Sequence, residues 1–178
     1  TFYIAHRGAM DSAPPNTMAA FSKAKQDGYR AFECDVWYTS SKDLLICHEH
    51  NIQDITGFNT IITSVSKKTR KDYPIMSEHY EDYPTQYFPT LQEVLSFCAK
   101  NNMHVYLHFW PGDPKTKVSS ACIAKATKLI RRYGMTKRAF ILSQNPNYIK
   151  GFAKYKLNVG WLCRSVSLST HKSNLATA

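Results

Sequence analysis

Short apolar runs that alternate with stretches of helical period constrain this chain more than any other feature. Residues 2–6, 31–38, 105–110, 139–143 and 159–163 read as strands, while 17–26, 90–100, 118–133 and 146–155 carry apolar side chains at helical spacing. Strand, helix, strand in this order is the signature of βα units around a parallel sheet or barrel. A further apolar run, 44–48, follows a short polar turn at 40–43 and reads as the third strand, which brings the strand count to six. Closed barrels of this kind have eight strands and roughly 250 residues. A chain of 178 residues is therefore expected to be α/β, a TIM-type (β/α) barrel that is short or incomplete at its C-terminal end.

Local signals mark the element ends. Asp27-Gly28 stops the first helix, Thr90 and Glu93 have the spacing of a capping box, and Pro111-Gly112-Asp113 closes the fourth strand. Residues 49–88 are rich in Tyr, Pro, Lys and His and give no clean element, so a functional insertion or lid is expected there within one domain spanning 1–178. Tyr73, Tyr80, Tyr83 and Tyr87 are its candidate cleft residues. Beyond Arg164 neither helix nor strand is predicted.

Apolar residues make up 43% of the chain, and no run approaches the roughly 18 to 20 residues that cross a bilayer. A soluble protein without stable membrane insertion is expected. The first residues lack the basic flank and apolar segment of a signal peptide. Five cysteines, odd in number and without CxxC spacing, read as buried reduced thiols, which favours the cytoplasm over secretion. The net charge of +10 suits a phosphorylated substrate, an anionic membrane or a nucleic acid. No nucleic-acid motif or stacking array accompanies it, and the lysine runs read as solvated faces, so no nucleic-acid partner is expected.

Strand ends of a parallel barrel line one open face, and that is where polar chemistry collects here. His6-Arg7-Gly8 ends the first strand, Glu33-Cys34-Asp35 lies in the second, His48 ends the third, and the fourth carries His108. Glu33 and Asp35 point to one side of their strand and repel unless a cation or a proton lies between them. Oxygen ligands suit a hard divalent cation such as Mg²⁺ or Ca²⁺. His6 and His48 end different strands and could flank a phosphoryl group as acid and base. Arg7 is a planar donor for phosphate.

Considered together, His6-Arg7-Gly8, Pro15-Asn16-Thr17 leading to Ala20-Phe21, Glu33-Cys34-Asp35-Val36 with Thr39, His48, and Pro89 to Leu95 resemble the glycerophosphodiester phosphodiesterase family. The resemblance runs over residues 2–163 in order. It implies a TIM barrel that splits glycerophosphodiesters with a divalent cation, with His6 and His48 as acid/base pair, Arg7 on phosphate, and Glu33 and Asp35 on the metal. The implied substrate is a small glycerophosphodiester, a lysophospholipid-like diester or a teichoic-acid-like polymer. The oligomeric state is left open.

Three departures stand out against that pattern. Pro15 replaces a loop Glu, His108 a metal-binding Glu, and Trp110 a Lys; Lys115 or Lys117 in the next loop could replace that Lys on phosphate. His108 can still ligate, with preference moved toward Mn²⁺ or Zn²⁺. The same departures carry an alternative expectation, a phosphate-binding or regulatory barrel with impaired catalysis.

Overall fold

The computed structural model describes residues 3–76, 83–113 and 115–162. Strands β1 (Ile4–Ala5), β2 (Ala31–Tyr38), β3 (Leu44–Ile46), β4 (His104–Phe109), β5 (Ala139–Ser143) and β6 (Asn158–Trp161) form one sheet. Five of them are parallel, in the order β1-β2-β4-β5-β6. Helices α1 (Met18–Gln26), α2 (Gln53–Thr56), α3 (Leu91–Lys100), α4 (Ser120–Arg132) and α5 (Pro146–Ala153) complete the described elements, with two single 3₁₀ turns. This is the α/β, parallel-stranded architecture expected of a barrel section. Cys163 and the residues after it, including the end of the expected sixth strand, lie outside the described residues.

Alternation along the strands separates core from site. Phe32, Cys34 and Val36 of β2 and Val105, Leu107 and Phe109 of β4 face the helices and are fully buried. Glu33, Asp35 and Trp37, with Tyr106 and His108, take the other face. The helices cover the first face with Phe21, Leu91, Val94, Leu95, Ile123, Ala126, Ile130 and Phe152. Each long helix starts on a side-chain cap, from Thr17, Thr90, Ser119 or Asn145, and the Thr90–Glu93 capping box forms as expected. Cys34, Cys47, Cys98 and Cys122 are buried free thiols.

The third strand corrects the sequence reading. Residues 44–48 were expected to be a parallel barrel strand with His48 at its end, yet β3 is three residues long and antiparallel to β2. The reason is geometric. Parallel neighbours need a crossover of a dozen or more residues, and the turn at 40–43 allows only a hairpin. Because β4 occupies one edge of β2 along Ala31–Val36, β1 and β3 share the other edge. The hairpin runs back down that edge, and the Cys47 N–H bonds to the Asp35 carbonyl at 3.0 Å. His48 thus returns to the level of Asp35, toward the end of β1.

Residues 49–76 and 83–88 pack Ile52, Ile62, Val65, Ile75 and Phe88 against Trp37 and Leu45 as a second apolar cluster. One ion pair fastens this excursion to α3. The Arg70 guanidinium donates to both Glu93 oxygens at 2.8 and 2.7 Å and to the Phe88 carbonyl at 2.7 Å. Glu93 also closes the helix cap through the Thr90 N–H at 2.7 Å. Arg70→Ala is expected to cost about 1–2 kcal/mol, since Glu93 is partly solvated. That corresponds to a fall of about 2–6 °C in Tm for a domain of this size. Thermal unfolding measures it, and Arg70→Lys should restore only part, because an ammonium cannot make the paired contact. An unchanged Tm in Arg70→Ala would show that the pair holds nothing.

Candidate active site

Chain geometry at the mouth begins with Gly8. Its φ is +82°, and a Cβ there would lie 2.7 Å from the Ala20 backbone, so only glycine lets the chain turn off β1 against α1. Arg7 and Asn16 also have positive φ, 55° and 58°, and the Asn16 N–H bonds to the Arg7 carbonyl at 2.9 Å. Asparagine tolerates that conformation through its short polar side chain; arginine is strained in it. Contacts to both carboxylates accompany that conformation, through the Arg7 N–H to Glu33 and the Arg7 Nε beside Asp35.

Glu33 and Asp35 are both buried, at 9% and 2% exposure. Asp35 is register partner to His108 on β4. Its Oδ1 accepts from Trp110 Nε1 at 2.8 Å and pairs with His108 Nδ1 at 3.1 Å. Its Oδ2 accepts from Asn16 Nδ2 at 2.9 Å, with Arg7 Nε 3.6 Å away. Glu33 accepts from the Arg7 backbone N–H at 3.2 Å, and His6 Nε2 stands 3.8 Å from the same oxygen.

The two carboxyls titrate apart. Burial, then the charge of Asp35, pushes Glu33 well above the usual carboxylate range. Burial raises Asp35 too, but hydrogen bonds from His108, Trp110 and Asn16 outweigh it and hold the group low. Asp35 is thus the anion of the pair, and Glu33 takes a proton unless a cation arrives. Burial, followed by the charge on Arg7, lowers His6.

These residues fit a divalent cation. Glu33, Asp35 and His108 each offer one ligand atom, all within 4.8 Å of one another. Ionised Asp35 only accepts hydrogen bonds, so Nδ1 is the protonated nitrogen of His108 in their contact. His108 Nε2 is buried without a hydrogen-bond partner, an orphan that a cation would satisfy. Glu33, buried beside the Asp35 charge, would be held as a carboxylate by that same cation.

Beside this cluster lies a cavity of ≈320 Å³ with Arg7 and His48 among its walls, together with Glu49 and Asp54. Pro14, Pro15, Ile55, Ile75 and Met76 supply its apolar lining. Pro15, the departure in the first loop, is therefore a wall residue. Among the described residues the 49–88 stretch reaches the cavity through Glu49, Asp54, Ile55, Ile75 and Met76, and Tyr73, Tyr83 and Tyr87 are not in its lining. Tyr73 sets its edge against Phe58, Tyr83 borders a separate hollow beside Lys23, and Tyr80 lies outside the described residues. His48 pairs Nδ1 with Glu49 Oε1 at 3.2 Å and meets the Trp110 ring edge-on at 6.0 Å.

Of the residues expected from sequence, His6, Arg7, Glu33, Asp35, His48 and His108 thus converge on one mouth. Lys115 is an exposed residue of the loop after β4, and its backbone N–H bonds to Asp113. Asn16 and Trp110 join the converging residues on Asp35, although the sequence pattern gives neither a role. Trp110 follows His108 by two positions, so strand alternation alone places it on the same face.

A model of the glycerophosphoryl diester phosphodiesterase family matches residues 6–176. Human glycerophosphodiester phosphodiesterase 1 is 30% identical over 105 residues, which cover 58% of this chain and 32% of that one. A glycerophosphodiester phosphodiesterase of Caldanaerobacter subterraneus is 26% identical over 145 residues, 82% of this chain and 58% of its relative. The chain thus spans about a third of the length of the animal relative. Among solved structures, an Oleispira antarctica phosphodiesterase in complex with the product sn-glycerol-3-phosphate superposes with a TM-score of 0.84 at 21% identity, over 97% of this chain and 70% of that one. The Silicibacter pomeroyi putative glycerophosphoryl diester phosphodiesterase gives 0.81 at 20% identity, over 96% and 71%. These likenesses establish the TIM-barrel fold, of which the described sheet is a section. No helix among the described residues is long and apolar enough to cross a membrane.

Proposed function

This chain belongs to the glycerophosphoryl diester phosphodiesterase family, and from that premise we propose that it carries the mouth of a cation-dependent phosphodiesterase that splits glycerophosphodiesters into glycerol phosphate and an alcohol. The observation that carries the proposal is the convergence of Glu33, Asp35 and His108 within 4.8 Å beside an Arg7- and His48-lined cavity.

Glu33, Asp35 and His108 would hold the cation. Mg²⁺ or Ca²⁺ suits the carboxylates, and the imidazole extends the range to Mn²⁺ or Zn²⁺. When bound, the cation supplies positive charge to the phosphoryl oxygens. Arg7 binds the phosphate from the cavity wall, and Lys115 is a further phosphate partner if its loop folds inward. His6, whose pKa burial and then the Arg7 charge lower, takes the proton from the substrate's neighbouring hydroxyl. That hydroxyl oxygen attacks phosphorus. His48 gives a proton to the departing alcohol as its bond to phosphorus breaks, and water then opens the cyclic phosphate. The cavity behind His48 receives the alcohol.

A substrate without the neighbouring hydroxyl tests this route. The deoxy analogue should turn over at least about 10³-fold more slowly than the parent diester, the scale at which an intramolecular nucleophile exceeds a bimolecular one. Phosphorus NMR should show the cyclic phosphate before glycerol phosphate. Equal rates for both substrates would reject the attack by the neighbouring hydroxyl.

A second reading has one observation behind it. Trp110 and His108 occupy Asp35 Oδ1, which suits a barrel that binds phosphate without turning over. Phosphate binding with no hydrolysis under any divalent cation would favour it.

A further inference from the structure

Trp110 sits where the two halves of the mouth meet. Its indole N–H donates to Asp35 Oδ1 at 2.8 Å, in the carboxylate half. The same ring receives His48 edge-on, with centroids 6.0 Å apart and planes at 85°, in the acid/base half. It also lies 4.7 Å from the His108 ring. Few side chains have a donor and an aromatic face both rigid enough to serve two partners at once.

The ring is itself held from several sides. It stacks on Trp37 at 5.9 Å and 13°, and Trp37 stacks on His50 at 5.2 Å and 24°. Its backbone N–H bonds to the Val36 carbonyl at 3.0 Å, and its carbonyl accepts from the Tyr148 hydroxyl at 3.0 Å. Backbone and ring are fixed before any ligand arrives, so its N–H can impose an orientation on Asp35 and its face can impose one on His48.

Lone-pair counting shows what that orientation does. An ionised carboxylate has about four acceptor sites. Trp110 and His108 take both sites on Oδ1, and Asn16 takes one on Oδ2. Arg7 Nε, at 3.6 Å, makes no hydrogen bond, and among the described residues no donor takes the second lone pair on Oδ2. Clamping Oδ1 therefore turns that lone pair in one direction.

We infer that Trp110 is a positioning residue: its indole N–H aims Asp35 Oδ2 toward the cation site, and its ring fixes the plane of His48. The inference rests on the proposed roles of Asp35 and His48. It identifies Trp110, a departure from the family pattern, as part of the working site and not as a loss.

Two substitutions separate the two contacts. Trp110→Phe keeps a ring for Trp37 and His48 but removes the N–H, and Trp110→Leu removes both. An isosteric benzothienylalanine at 110, which also lacks the N–H, serves if the phenylalanine variant fails to fold. Mn²⁺ binding to the otherwise metal-free proteins is read by electron paramagnetic resonance, with kcat and KM measured at saturating Mn²⁺ on a glycerophosphodiester. Loss of a hydrogen bond to a charged group should weaken Mn²⁺ binding about tenfold or more in Trp110→Phe. At saturating Mn²⁺ the kcat of Trp110→Leu should fall about tenfold or more below that of Trp110→Phe, with KM little changed. A phenylalanine or benzothienylalanine variant that binds Mn²⁺ as tightly as the parent overturns the aiming of Asp35. A leucine variant with the kcat of the phenylalanine variant overturns the fixing of His48. A parent that neither binds Mn²⁺ nor hydrolyses the diester overturns the proposed function and this inference together, whereas a competent parent with indifferent variants overturns the inference alone.

Discussion

His48→Ala is expected to lower kcat on a glycerophosphodiester by about 10²-fold or more, and His6→Ala to do the same, with the fold intact in both. In the proposed route the two act at successive proton transfers, so neither can replace the other. His6 has a side chain 61% exposed, and His48 stands beside the cavity with its Nδ1 on Glu49. Neither ring supports the apolar core, so circular dichroism and Tm should match the parent. If the roles are as proposed, a substrate with a nitrophenol leaving group, which departs without a proton, should recover most of the rate in His48→Ala and none in His6→Ala. Turnover within about threefold of the parent in either folded variant would remove that histidine from the chemistry.

Glu33→Gln is expected to weaken divalent-cation binding by about 10² or more, the scale of removing one member of a buried charge pair. Its effect on the cation-free protein should run the other way. Burial and the charge of Asp35 raise the Glu33 pKa above its unfolded value of 4.5. Above pH 4.5 the folded state therefore holds a proton that the unfolded chain has lost, and stability falls as pH rises through the raised pKa. An amide cannot titrate, so cation-free Glu33→Gln should melt at or above the parent's temperature at pH 8. His108→Glu should strengthen Mg²⁺ or Ca²⁺ binding by returning a hard anionic ligand. Calorimetric titration and thermal melts of the cation-free proteins measure all three effects. A Glu33→Gln protein that binds cations like the parent would take Glu33 out of the ligand set.

Much of this could be read in the chain because strand alternation and helix caps are local. The bounds of β2 and β5, the Thr90 capping box and the shared face of Glu33 and Asp35 need no long-range information. The direction of β3 was legible too, in the length of the turn at 40–43, but an apolar run looks alike in parallel and antiparallel strands. That distinction matters for function, because only the hairpin brings His48 back beside Asp35. The cavity wall from Asp54, Ile55, Ile75 and Met76 was not legible. It depends on which side chains of an irregular excursion turn inward, and packing on Trp37 and Leu45 decides that. Aromatic residues in such a stretch suggest a cleft, yet here Tyr73 packs on Phe58. Trp110 was legible as a position and opaque as a role, since its partner Asp35 is 75 residues away in the chain.

Product release shows whether the cation proposed for Glu33, Asp35 and His108 is needed for phosphodiester cleavage. The purified chain is incubated with a glycerophosphodiester, first after exhaustive chelation and then with Mg²⁺, Ca²⁺, Mn²⁺ or Zn²⁺ restored, and glycerol phosphate is measured by enzymatic assay. No glycerol phosphate is expected after chelation, and its release is expected once at least one of these cations is returned. Equal release with and without chelation would contradict cation-dependent cleavage, as would no release under any of the four.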